Sequence, residues 1–151
     1  MSQDLPHLIW VDCEMTGLDI NKDALVEIAV LVTDAQLNVL GEGVDLVIKC
    51  EQSKLDGMDE FVKNMHTSSG LITEIPNGTT LTAADDAIIT YLRKYAPTEG
   101  KSPLAGNSVY VDRAFIARDL PKLNAYLHYR TIDVSTIKEL ARRWYPKTYF
   151  A

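Results

Sequence analysis

Cysteine is scarce in this chain. Only Cys13 and Cys50 occur, which excludes a disulfide framework and a C-x-x-C site, and points to reduced thiols and a cytoplasmic setting. Long apolar runs are missing as well: nothing approaches the length needed to span a bilayer. Met1-Ser2-Gln3-Asp4 has neither the basic nor the apolar part of an export signal, so no membrane partner is expected. Basic charge is also in short supply. Fifteen Lys and Arg face twenty-one Asp and Glu, for a net charge of -6, and no stretch gathers enough cations to follow a long phosphate backbone. Any nucleic-acid ligand should therefore be short rather than a long duplex. There are no repeats and no low-complexity segments, and 151 residues, 46% hydrophobic and 24% charged, fit one domain with a proper core.

What is present is organised around Leu8-Ile9-Trp10-Val11-Asp12-Cys13-Glu14-Met15-Thr16-Gly17-Leu18, an apolar run that reads as a buried strand yet carries two acids near its end. Side chains alternate along a strand, so Asp12 and Glu14 project to one face, roughly 6.5 Å apart, with Val11 and Cys13 on the other. Two like charges at the rim of a core call for raised pKa values, a basic neighbour or a bound cation. Carboxylates suit Mg2+ or Mn2+, and two such ions about 3.5 to 4 Å apart can hold both the attacking and the leaving oxygen of a phosphoryl transfer. A strand end emerging into solvent is an equally open reading of the D-x-E triplet alone.

Residues 25–32 are almost continuously apolar and 39–48 follow across a turn-like segment, giving strands two and three of an antiparallel meander. Met58, Phe61, Val62 and Met65 recur at helical spacing, and Thr82-Ala83-Ala84-Asp85 opens a clearer helix with Ala84, Ile88, Tyr91, Leu92 and Tyr95 as its apolar stripe. Residues 97–103 form a loop and 104–106 a short strand, after which Asn107 or Ser108 can cap a helix that carries Asp112 on its first turns. Pro121 restarts a helix, 129–134 reads as a last strand, and Thr136-Ile137-Lys138-Glu139 is a capping box for a helix that Pro146 should end. A meander followed by alternating helices and strands predicts an α/β fold: a mixed sheet with its first strand central and helices on both faces.

Three segments together closely resemble the oligoribonuclease family of DEDD exonucleases. They are Val11-Asp12-Cys13-Glu14-Met15-Thr16-Gly17-Leu18, Leu104-Ala105-Gly106-Asn107-Ser108-Val109-Tyr110-Val111-Asp112-Arg113, and Tyr129-Arg130-Thr131-Ile132-Asp133-Val134-Ser135. The resemblance runs from Leu8 to Trp144. It implies a ribonuclease H-like fold, trimming of very short RNA from the 3′ end, and two Mg2+ or Mn2+ ions. Asp12, Glu14 and Asp112 match three of the four metal-binding acids. The family's closing H-x-x-x-x-D motif, which supplies a general base and the fourth acid, finds no match before Ala151. His128 and Asp133 have the spacing but fall in a strand-like segment where an odd separation turns them to opposite faces. The expectation is a single exonuclease domain, 1–151, whose last catalytic motif is absent.

Further residues carry both an ordinary and a functional reading. Gly17 can simply make a turn, whereas the resemblance has its backbone approach a terminal nucleotide with Leu18 wedged against the base. Helical periodicity favours core packing for Phe61, while the resemblance assigns it to base stacking. His66 reads as a structural histidine by its apolar setting and as a phosphate contact by resemblance. Asn107 and Ser108 are helix caps that also sit where a helix amino terminus meets a phosphate. Arg130 and Ser135 are ordinary surface groups or, by resemblance, a cap on a 5′-phosphate. Tyr129 resembles a residue donated from the neighbouring subunit, which implies a homodimer. Glu27 interrupts the second strand with no assigned role. Two rivals stand beside the exoribonuclease reading: a DEDD exonuclease acting on DNA, and a catalytically silent module that binds short oligonucleotides or scaffolds a dimer.

Overall fold

A computed structural model describes residues 5–151; Met1 to Asp4, the segment examined above for an export signal, lie outside the described residues. One sheet has the strand order β3-β2-β1-β4-β5. β1 (Leu8–Met15), β2 (Leu25–Thr33) and β3 (Val39–Val47) form the antiparallel meander, and β4 (Leu104–Gly106) and β5 (Thr131–Asp133) add to β1 in parallel. β1 is thus central, as its apolar sequence requires.

The alternation along β1 decides where the core lies. Ile9, Val11, Cys13 and Met15 are buried on one face, opposite Val32, Val30 and Ile28 of β2 for the first three. Against that face pack α4 (Leu81–Tyr95) through Ala84, Ile88 and Leu92, α5 (Tyr110–Asp119) through Phe115 and Ile116, and α6 (Pro121–Tyr126) through Leu123. Each large apolar side chain so buried contributes about 1.5–3 kcal/mol. A satellite cluster of Val26, Leu55, Met58, Leu71 and Ile75 ties α1 (Gln52–Asp56), α2 (Glu60–Ser69), α3 (Leu71–Glu74) and a following 3-10 turn, Ile75–Asn77, to the start of β2. The second face of the sheet presents Trp10, Asp12, Glu14, Glu27, Ala29 and Leu31, all partly or fully exposed. α7 (Val134–Trp144) leaves β5 on that side, and Val134 helps line a cleft over Trp10, Asp12, Ala29 and Leu31.

Three helix starts differ from the sequence reading, two of them because a different oxygen reaches the free backbone N–H groups. α4 is capped by Thr80, whose hydroxyl accepts from Ala83 N–H, two residues before the anticipated Thr82. α5 has Val109 at its cap position with no side-chain bond, so neither Asn107 nor Ser108 caps it. Ser108 instead takes a left-handed conformation, φ 53°, and donates its N–H to Asp133 at 2.8 Å. The same Asp133 accepts from Ser135 N–H, which starts α7 at Val134 and makes the Thr136 capping box unnecessary. Pro146 follows the end of α7 as anticipated and itself opens α8 (Pro146–Tyr149).

Candidate active site

Asp12 and Glu14 stand on the exposed face of β1 at its carboxyl end, in register with Ala29 and Glu27 of β2. Asp112 arrives from elsewhere in the sequence. It lies on the first turn of α5, 7% exposed, and its Oδ1 accepts the backbone N–H of Cys13 at 2.8 Å. The strand residue between the two acids therefore fixes the third. Among the described residues no three His, Cys, Asp or Glu side chains converge to hold one ion.

Two of the three acids, Glu14 and Asp112, are short of solvent. Burial raises the Glu14 carboxyl above its ordinary value, with the His66 side lowering it and Asp12 raising it further. Burial also raises Asp112, opposed by the hydrogen bonds it accepts, including that from Cys13. The Cys13 thiol is pushed up chiefly by burial and then by Asp112; it is an inert core group rather than a nucleophile. Glu27, opposite Glu14 in the register, lies on the same face of the sheet, its carboxyl raised by burial, then by Asp45 and Glu14. Oxygen-only donors of this kind suit a hard divalent cation, and a cation relieves the penalty that burial imposes on their ionised forms.

The remaining candidates divide into groups. His66 is 1% exposed; its Nε2 donates to the Met15 carbonyl at 2.8 Å, and Nδ1 lies 3.9 Å from Glu14. It thus sits beneath Glu14 rather than on the cleft surface. Asn107 is exposed and shares with Asp12 a cleft of about 560 Å3, floored by Ala29 and Gly106. Ser108 and Ser135 are joined through Asp133, to which the Ser135 hydroxyl donates at 2.5 Å. Asp133 is occupied as a cap and does not pair with His128 as a catalytic motif. Phe61 is 78% exposed on the first turn of α2, so the core packing its periodicity favoured does not occur. Tyr129 is exposed, stacked on His128 at 4.3 Å between centroids, with the Arg130 guanidinium 5.6 Å from its ring. Arg130 lines a second cleft with Leu8, Lys101, His128 and Ile132, apart from the one that holds Asp12. Gly17 and the exposed Leu18 follow β1 in a loop built on Asp23, a residue that sequence reasoning passed over although the Asp19 and Asp23 pair has the look of a turn.

This arrangement has relatives. The RNase T exonuclease family model matches residues 9–150. The chain is 58% identical over 142 residues to an oligoribonuclease of Cutibacterium acnes, covering 94% of this chain and 70% of that protein. It is 56% identical over 144 residues to one of Streptomyces griseus (95% and 72%), and 53% identical over 150 residues to one of Leifsonia xyli (99% and 72%). Among solved structures, E. coli exonuclease I in complex with a dA13 oligonucleotide superposes with a TM-score of 0.70 at 18% identity, over 94% of this chain and 31% of that one. The chain thus spans about a third of that exonuclease, and the likeness speaks for the ribonuclease H-like fold alone. The acids of β1, the acid of α5 and the sequence likeness across almost the whole chain agree: the chain belongs to the oligoribonuclease family of exonucleases.

Proposed function

We propose that the protein is a 3′ to 5′ exoribonuclease for RNA of a few nucleotides, cutting phosphodiester bonds at the cluster of Asp12, Glu14 and Asp112. The observation that carries this reading is the docking of Asp112 on the backbone of Cys13, which sets an acid of α5 against the strand residue between Asp12 and Glu14. Two Mg2+ or Mn2+ ions held by these acids would supply Lewis-acid stabilisation of the charge that develops on the phosphoryl oxygens. The protein's own part is positional. Cys13 N–H orients Asp112, and His66, anchored on Met15, backs Glu14 from below. Phe61 and Leu18, both strongly exposed, offer apolar faces for the bases of a short strand.

A 5′-phosphate is the anchor assigned to Arg130, Ser135 and Ser108, the Asp133 link between the two serines preparing one part of it; His66, 1% exposed beneath Glu14 and bonded to Met15 at the far end of β1 from Arg130, is not part of that anchor. Tyr129, exposed and stacked on His128, is the residue offered to a neighbouring subunit in a homodimer. The unit is a single domain acting in the cytoplasm. The acidic balance of the chain supports a short substrate, because few phosphates can be neutralised and the salt dependence, about -0.7 per phosphate for single strands, should be shallow. The test is a length series of 5′-phosphorylated RNA and DNA with Mg2+, and binding in Ca2+. Preference for the RNA dinucleotide supports the proposal. A twenty-nucleotide strand bound or cut as well as the dinucleotide overturns it in favour of a long-strand or DNA exonuclease, and tight binding with no cleavage favours the silent module.

A further inference from the structure

The loop from β1 to β2 is built around one carboxylate. Asp23 accepts the Thr16 hydroxyl at 3.2 Å and the Asp19 N–H at 2.9 Å, while its own N–H donates to the Asp19 carbonyl at 2.7 Å. Thr16 in turn accepts Ala24 N–H at 3.0 Å. The carboxylate also fills the space that any side chain at residue 17 would need: a Cβ there would fall 2.4 Å from Asp23 Oδ2 and 2.7 Å from its Cγ. A side chain at 17 would therefore have to push the Asp23 carboxylate aside, which favours glycine there without appeal to a ligand. Two further ties hold the loop, from Arg118 to the Ile20 carbonyl and from Lys54 to the Lys22 carbonyl. Its tip, Leu18, is nevertheless 73% exposed. A lone exposed leucine carries no message. One held out by a pinned backbone, four residues after Glu14, has had its ordering cost met before a ligand arrives.

We infer that Asp23 is a positioning residue for substrate, its carboxylate seated against Gly17 so that Leu18 is presented to the base of a bound nucleotide. The inference rests on the proposed reading of the site as one for short RNA. It is tested by the dissociation constant of a 5′-phosphorylated RNA dinucleotide in Ca2+, measured by calorimetry for the wild type, Asp23→Ala, Asp23→Asn, Leu18→Ala and the Asp23→Ala/Leu18→Ala pair. Asp23→Ala removes two accepted hydrogen bonds and should weaken binding roughly five- to thirtyfold. The double variant should bind no worse than Leu18→Ala, since Asp23 acts through that side chain. Asp23→Asn keeps an acceptor oxygen and should recover part of the loss, a rescue that a general loss of fold does not produce. If Asp23→Ala proves unfolded, Gly17→Ala displaces the same carboxylate from the other side and should give the same weakening. Additive effects, or an unchanged constant for Asp23→Ala while Leu18→Ala weakens, overturn the inference and leave the site reading in place. Unchanged binding by Leu18→Ala overturns it too, whereas a wild type that fails to bind the dinucleotide removes the site reading and the inference together.

Discussion

Glu14 and Asp112 hold their protons more firmly in the folded chain than free carboxyls do, burial being the first cause in both. The sign of the linkage follows. Where the folded pKa lies above the unfolded one, the native state binds more protons, so stability is full at low pH and declines as pH rises from about 4, the ordinary carboxylate value, through the raised one. A divalent cation that binds only the ionised acids offsets that decline. The thermal shift produced by Mg2+ should therefore be near zero at about pH 4 and grow toward neutrality; a pH-independent shift would count against these acids as ligands. Asp12→Ala should abolish both this shift and RNA cleavage while leaving the far-ultraviolet circular dichroism unchanged, because Asp12 is exposed and supports no part of the core. The two strand acids were legible in the sequence because alternation is a local rule. Asp112 was legible only through likeness to a family, since nothing in residues 104–113 says that their helix meets β1 at Cys13. Asp23 was not legible at all: a loop acid has no period, and its partners Thr16, Gly17 and Asp19 matter only once the chain has turned back on itself.

At the level of elements, strands and the long helix followed from apolar periodicity, whereas helix starts did not. Caps depend on which oxygen reaches the free N–H groups, and in α7 that oxygen belongs to a residue read as part of a strand, Asp133. α6 shows the same dependence across elements: its Lys122 and Leu123 N–H groups both donate to Asp85 of α4, which is 3% exposed. Asp85→Ala leaves both donors unpaired and should cost about 1–3 kcal/mol, read as a fall in melting temperature of about 2–4 °C per kcal/mol for a chain of this size. α7 is the opposite case. None of its residues is buried, and Ile137 and Trp144 are strongly exposed, so its amides should exchange with solvent well before those of α4, which buries Ala84, Ile88 and Leu92. Equal protection of the two helices in hydrogen exchange would contradict the described packing.

For the whole molecule, the proposed homodimer makes a sharp demand. If Tyr129 completes the site of a neighbour, a Tyr129→Ala subunit mixed with an Asp112→Ala subunit should regain about a quarter to half of normal activity, each heterodimer keeping one intact site. Mixtures without recovery would place Tyr129 in its own chain's site. The order of the strands was expected from the meander and its central first strand; what no single segment could reveal is how late the cluster of acids comes together. Cys13 and Asp112 are separated by 99 positions, and the bond between them joins β1 to the helix that follows its parallel neighbour β4. During synthesis the two acids of β1 emerge first and remain unaccompanied until the segment that carries Asp112 has followed. The three acids proposed for the site are thus joined by tertiary pairing rather than by nearness in sequence, and a nascent chain carries two of them well before the third.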